Sequence, residues 1–284
     1  MSRSGSAVLV SGGTSGLGRA IVEALAARGH QVFTCGRDAA RLAEVGKVPG
    51  VSAFQVDVSD EAAVIKFMET VRVALKGRPL TAVINNAGLL RMGDPLTAMS
   101  GAQFDASYLV NTKGAFLITR YAWPLLKEAS EPLVLVMGST TEQQGFASAF
   151  HTTYAASKMA LLAYSTGLRQ ELMVLHPGAR VVHLKVGAHE TGLEHDGDKA
   201  GRNRAAYGPP YDAIAPKLAA KLNSDFKMVS YSPASDVADA VCKLIATPAA
   251  QMPRDVWINV SFLERLVYWL PAWVLDMAHV GKLQ

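Results

Sequence analysis

Residues 6–18 read SAVLVSGGTSGLG, and this stretch decides the fold. Its first half, Ala7–Ser11, is an apolar run with the length of a buried strand. Its second half turns on Gly12, Gly16 and Gly18 into the periodic segment Leu17–Arg28. There Ala20, Ile21, Ala24 and Leu25 recur at helical spacing, and Gly29 supplies the stop. A strand that turns on glycines into a helix leaves free N–H groups and the positive end of a helix dipole at the turn. Such a turn suits an anion such as a phosphate.

The same alternation continues outward. Gln31–Cys35 reads as a second strand, Asp38–Val45 as a helix, and Val51–Val56 as a third strand ending at Asp57. Asp60 is placed to cap a helix over Glu61–Leu75, because an N-cap Asp accepts backbone N–H bonds. Ala82–Asn85 reads as a fourth strand, followed by one long helix from about Gln103 to Leu126 that carries Asn111 and terminates or kinks near Pro124. Pro132–Met137, the helix Thr153–Leu175, and Arg180–Lys185 follow, then a helix over Asp236–Ile245 and a final strand over Asp255–Val260. Strands that read as apolar runs between helices predict an α/β fold: a doubly wound, Rossmann-like parallel sheet with helices on both faces. Ligands of such sheets bind beyond the carboxyl ends of the strands, and Asn85, Ser139 and Gly187 all fall just past a strand.

The 284 residues suffice for one large catalytic domain spanning 1–284, with half of the chain hydrophobic. No linker, low-complexity tract or repeat stands out. The net charge of +4 is modest and its lysines and arginines are scattered, which argues against a nucleic-acid partner. Two cysteines, Cys35 and Cys242, give no disulfide framework. The apolar run near the N-terminus is too short for a secretory signal core, and no window is long and apolar enough to span a membrane. The seven histidines form no cluster with ligand spacing, so no metal site is expected. Residues 192–230 are polar and rich in glycine and proline, and are expected to form a substrate lid. Residues 261–284 form an apolar, aromatic tail, suited to core packing, a subunit contact or a membrane surface.

At the glycine turn the spacing is G-x-x-x-G-x-G, not the G-x-G-x-x-G of the dinucleotide fingerprint. Gly36-Arg37 follows the second strand. A carboxylate there would bind a ribose 2′-hydroxyl, whereas an arginine suits a 2′-phosphate, so NADP(H) is expected over NAD(H). Arg19 stands ready to add a second positive charge. Asp57-Val58 lies where an adenine would be contacted, although an Asp there also serves as a turn residue.

Tyr154 and Lys158 in HTTYAASK are four residues apart, on one face of the predicted helix. A phenol ordinarily releases its proton near pH ~10. A neighbouring ammonium is expected to lower that value and make the phenol a usable acid or base.

The set SGGTSGLG, Asp57, NNAG (Asn85 to Gly88), Asn111, Ser139 and YAASK (Tyr154 to Lys158) resembles the short-chain dehydrogenase/reductase (SDR) family, in the family's order. The resemblance covers residue 6 to about 190, more loosely to about 260. It implies catalytic roles for Asn111, Ser139, Tyr154 and Lys158. Tyr154 exchanges a proton with the substrate oxygen, Lys158 lowers the Tyr154 pKa and holds the nicotinamide ribose, Ser139 polarises the carbonyl, and Asn111 positions a water toward Lys158. The implied cofactor set is Gly12, Thr14, Ser15, Gly16, Leu17, Gly18, Arg37, Asp57, Val58, Asn85, Ala87, Gly88, Tyr154, Lys158, Gly187 and Thr191. Two departures stand out: Val186-Gly187 replaces the family's Pro-Gly, and Ser139 lies fifteen residues before Tyr154, with Ser148 a rival for the serine role.

These readings predict an NADP(H)-dependent carbonyl reductase. An NAD-linked alcohol dehydrogenase and a non-catalytic dinucleotide sensor are the alternatives. Phe146, Ala147, Ala149 and Phe150 are expected at the pocket entrance, which with the tail suggests a hydrophobic ketone or secondary alcohol. A homodimer or homotetramer is implied by the resemblance. The expected location is cytoplasmic, with peripheral membrane contact through the tail as the alternative.

Overall fold

The computed structural model describes residues 5–91, 94–142, 151–189, 208–209, 211, 231–260 and 265. Among the described residues, seven strands form one sheet: β1 (Ala7–Ser11), β2 (Gln31–Gly36), β3 (Val51–Gln55), β4 (Leu80–Asn85), β5 (Leu133–Met137), β6 (Arg180–Val186) and β7 (Asp255–Ile258). Their order is β3-β2-β1-β4-β5-β6-β7, and every pairing is parallel. The chain therefore winds outward twice from β1, first toward β3 and then toward β7. The expected doubly wound α/β fold is the one observed.

Side chains of each strand alternate between two apolar layers, as a pleated strand requires. From β1, Val8 and Val10 face one layer and Leu9 the other. The first layer is filled by α1 (Gly16–Ala27), through Ile21, Val22 and Leu25, and by Val237, Val241 and Ile245 of the late helix 234–246. The second is filled by α3 (Glu61–Leu75), through Val64, Phe67 and Val71, and by the helices that follow β4 and β5. Strands buried on both faces explain the near-continuous apolar runs in the sequence.

The helix ends have identifiable causes. Asp38 accepts the Arg41 N–H at 3.0 Å and caps α2 (Ala39–Val45). Asp60 accepts the Ala63 N–H at 3.2 Å and caps α3, as expected. Ser100 and Gln103 form a reciprocal capping box at the start of α4 (Gly101–Tyr108).

The single helix expected over Gln103–Leu126 is instead three pieces. α4 passes into a π-turn at Leu109–Lys113, and α5 (Gly114–Leu126) follows. The sequence does not announce such a turn, because a widened turn shifts the helix phase without a breaker residue inside it. Helix α5 also runs through Pro124 and ends two residues later, at Leu126. α6 (Thr152–Leu175) precedes β6, and α7 (Ala234–Ala246) precedes β7. The lid expected over 192–230 and the tail expected over 261–284 lie outside the described residues, apart from 208, 209, 211 and 265, as do Ser148, Thr191 and the entrance residues 146–150.

Candidate active site

The carboxyl ends of β1 to β6 border one cavity of about 560 Å³. At one side are Gly12, Thr14, Ser15, Gly16, Leu17 and Gly18 from the β1 turn, with Arg37, Asp57 and Val58 beyond β2 and β3. At the other are Ser139, Tyr154, Lys158 and Gly187, with Ala87 and Gly88 between the two groups. The sheet order alone brings these distant stretches together, since β1 and β4 are neighbours and the chain leaves them in opposite directions.

Gly12 takes φ +70, and a Cβ on it would lie 2.8 Å from Ala87 Cα. Only a glycine lets the β1 turn lie this close to the segment after β4. Ser11 stitches the same two segments, because its Oγ accepts the Asn86 and Ala87 N–H groups at 3.1 Å each.

Asn85 does not join the cavity. It is buried in the last position of β4, and its Nδ2 donates to Thr119 Oγ1 at 2.7 Å, toward α5. The next residue turns the other way: Asn86 lines the cavity and donates to Ser11 O (3.0 Å) and Gly12 O (3.1 Å). Adjacent asparagines on a strand end face opposite sides, so a two-letter motif cannot say which one faces the ligand edge.

Arg37 is exposed and lies 3.9 Å from Asp57. Burial opposes ionisation of Asp57, but hydrogen bonds from the Ser59 hydroxyl and amide (2.7 and 2.9 Å) and the Arg37 charge hold its carboxyl below the usual range. Arg41 of α2 also lines the cavity, a second cation that the sequence reading missed. Arg19, expected in that role, pairs with Glu23 at 2.5 Å and does not line the cavity. A Cβ on Gly36 would press on the Thr14 side chain, 2.7 Å from its Cγ2, which leaves little room for a carboxylate at that position.

Ser139 and Tyr154 are joined by a side-chain hydrogen bond. The Ser139 Oγ also accepts from Thr141 N (3.2 Å) and Thr141 Oγ1 (3.0 Å). Lys158 is buried, with its Nζ donating to Met137 O at 2.7 Å and lying 5.9 Å from the Tyr154 ring centre.

This geometry corrects the electrostatic expectation. Tyr154 keeps part of its surface exposed, yet burial pushes its hydroxyl up to about 12, above its ordinary value, with the Ser139 hydrogen bond opposing and the Glu142 charge adding to the rise. Burial likewise pulls the Lys158 ammonium down to about 8. Desolvation is the largest cause of both shifts, because burial disfavours the charged form of each group.

Asn111 stands in the π-turn. Its Oδ1 accepts the Leu89 N–H at 2.7 Å, and its Nδ2 donates to Leu89 O (3.0 Å) and Ser157 Oγ (2.9 Å). Ser157 passes the link on to Tyr154 O at 2.7 Å. Asn111 thus fixes the segment after NNAG against the first turn of α6, and both its amide protons are used in doing so. A Cβ on Gly88 would lie 3.6 Å from Asn111 Oδ1 and 4.0 Å from Lys158 Nζ, so the two side chains flank one stretch of backbone.

Three further groups escaped the sequence reading. Ser157 is one. The other two are Glu142 and His183, both buried and in contact at 2.7 Å. A histidine inside the apolar run RVVHLKV is a detectable signal, because a buried polar group needs a partner. His189 is buried at the cavity wall, with Nδ1 3.0 Å from Gly187 O and no partner for Nε2 among the described residues. No group of metal-binding side chains occurs among the described residues.

A family model described as short chain dehydrogenase matches residues 6–200. The chain belongs to the short-chain dehydrogenase family. An uncharacterised short-chain type dehydrogenase/reductase of Sinorhizobium fredii is 30% identical over 215 residues, 75% of this chain and 82% of that protein. The NADPH-dependent pterin aldehyde reductase of Arabidopsis thaliana is 30% identical over 190 residues, 66% of this chain and 76% of that one. Among solved structures, a 3-ketoacyl-(acyl-carrier-protein) reductase from Brucella melitensis complexed with NADH shares 25% identity, with a TM-score of 0.71 over 90% of this chain and 97% of that one. This member of the SDR family is thus an oxidoreductase by descent, and its relatives include reductases.

Proposed function

We propose that this SDR protein is an NADP(H)-dependent oxidoreductase that reduces a ketone, or oxidises the corresponding secondary alcohol, with a preference for hydrophobic substrates. The observation that carries the reading is the meeting of Ser139, Tyr154 and Lys158 in the cavity that also contains the glycine turn. The residues present fit a nicotinamide dinucleotide. Gly12 and the N-terminus of α1 offer a pyrophosphate cradle, and the exposed Arg37 and the nearby Arg41 offer charge for a 2′-phosphate. When bound, the reduced nicotinamide supplies hydride.

The chain's own residues supply the proton and the geometry. Burial keeps Tyr154 protonated at neutral pH, the state required of a general acid that delivers a proton to a carbonyl oxygen. Ser139, hydrogen-bonded to Tyr154, is placed to hold that same oxygen as charge develops on it. Lys158 anchors on Met137 O and stands beside Gly88, where it would meet a ribose hydroxyl. Its lowered value lets it release and regain a proton near pH 8. The NADPH dependence of the similar Arabidopsis thaliana pterin aldehyde reductase supports the same cofactor.

An NAD-linked reading has one observation in its favour: Asp57 partly neutralises Arg37 at 3.9 Å. The decisive experiment follows NADPH and NADH absorbance with ketones ranging from small and polar to long and lipid-like. Oxidation of NADPH with the apolar members is expected. Tight NADPH binding without turnover of any ketone or alcohol would leave a non-catalytic dinucleotide binder instead.

A further inference from the structure

His183 has no exposed surface and stands in the middle of β6. Its Nδ1 lies 2.9 Å from Ser165 Oγ on α6, and its Nε2 lies 2.7 and 2.8 Å from the two carboxyl oxygens of Glu142. Ser165 already donates its hydroxyl proton to Leu162 O at 2.9 Å, so it accepts an Nδ1–H from His183. One proton then remains to be shared between His183 Nε2 and Glu142. Glu142 reaches further: its Oε2 accepts the Ser139 N–H at 3.1 Å. Lys185 Nζ stands 3.9 Å from Oε1 on the far side.

The pair also fills the space over Gly138, where any Cβ would overlap both His183 Nε2 and Glu142 Oε2. A buried ion or proton-sharing pair is a poor stabiliser compared with apolar residues of the same volume. Apolar residues here, however, would leave the Ser139 N–H without its acceptor. The Glu142 charge acts on both Tyr154 and Lys158 as well.

We propose that Glu142, seated on His183 and Ser165, is a positioning residue for the reaction: it holds the Gly138–Ser139 turn from below so that the Ser139 hydroxyl faces Tyr154. The inference rests on the reductase reading for its chemistry and on these hydrogen bonds alone for its geometry.

The test compares Glu142→Ala and Glu142→Gln with Ser139→Ala, using steady-state kinetics with NADPH and hydrogen exchange at the Ser139 amide. Glu142→Ala is expected to lower kcat about tenfold or more, the loss typical of a hydrogen bond to a charged group. The KM for NADPH should stay within about twofold, because the cofactor-binding contacts are untouched. The Ser139 amide should exchange faster. Glu142→Gln keeps an acceptor for Ser139 and a donor for neutral His183, so it should restore most of kcat. It should also move the alkaline limb of the kcat profile to lower pH, since its amide no longer raises Tyr154 or Lys158. A Glu142→Ala enzyme with wild-type kcat and wild-type Ser139 protection would overturn the proposal while leaving the reductase reading intact. Equal losses in both Glu142 variants, with weakened NADPH binding, would overturn it in favour of a general packing role. If the wild type reduces no carbonyl, the reductase reading falls. Amide exchange then decides the positioning claim by itself: faster exchange in Glu142→Ala upholds it, and unchanged exchange removes it.

Discussion

Asn111 grips both backbone polar groups of Leu89, accepting its N–H at 2.7 Å and donating to its carbonyl at 3.0 Å. The clamp makes the π-turn and the segment after β4 one unit, with Ser157 as the third anchor. Asn111→Ala is expected to lower unfolding stability by about 2 kcal/mol, the order expected when buried backbone groups lose their partners. Urea unfolding measures it. A midpoint equal to wild type would show that the clamp is dispensable.

Tyr154→Phe removes the hydroxyl bonded to Ser139 and leaves the ring in place. Carbonyl reduction should fall at least ~100-fold, the scale of general acid catalysis. NADPH affinity, followed by fluorescence, should stay near wild type. Retained turnover would remove Tyr154 from the chemistry.

Arg37→Ala should raise the KM for NADPH about tenfold or more, the size of one lost charge-assisted hydrogen bond, and leave NADH almost unaffected. Arg41→Ala should act in the same direction. Their effects would be read as the ratio of kcat/KM with the two cofactors. A ratio unmoved by both substitutions would favour the NAD-linked reading.

Lys158 gives a pH-dependent prediction. Its value falls from 10.5 unfolded to about 8 in the fold, so the folded protein binds fewer protons between those limits. The penalty for burying the cation is fully present below pH 8 and is relieved as pH rises toward 10.5. Against Lys158→Met, which does not titrate, wild-type stability should therefore gain on the order of 3 kcal/mol across that window. Tyr154 titrates higher and is common to both proteins. Unfolding free energies measured at pH 7 and pH 10 test this, and a constant difference between the two proteins would contradict it.

The winding of the sheet was legible in the sequence because the central strands are buried on both faces and read as apolar runs. Helix caps were legible where a side chain makes the bond itself, as at Asp60. That Ser139, Tyr154 and Lys158 meet at one cavity could be anticipated from YAASK and its companions, since motif order survives in the primary structure. Its electrostatics could not be. Whether Lys158 lowers Tyr154 depends on how much water the fold leaves around both, and spacing along a helix carries no such information. Asn85 and Asn86 show the same limit at the scale of one residue: the end of a strand decides which side chain faces the ligand. Glu142 was invisible because its partner, His183, is forty-one positions away and meets it only across β5 and β6.

The widened turn at Leu109–Lys113 has one more consequence. It offsets the rotational phase of α4 relative to α5, which an unbroken helix at about 100° per residue could not do. Removing a single residue there would let the two halves merge into a continuous rod. Asn111 would then swing away from Leu89 and Ser157, and residues far upstream in α4 would present a different side to α6. A deletion that spares every side chain named above could thus unseat the whole constellation, making the count of residues between Tyr108 and Gly114 as much a functional constraint as their identity.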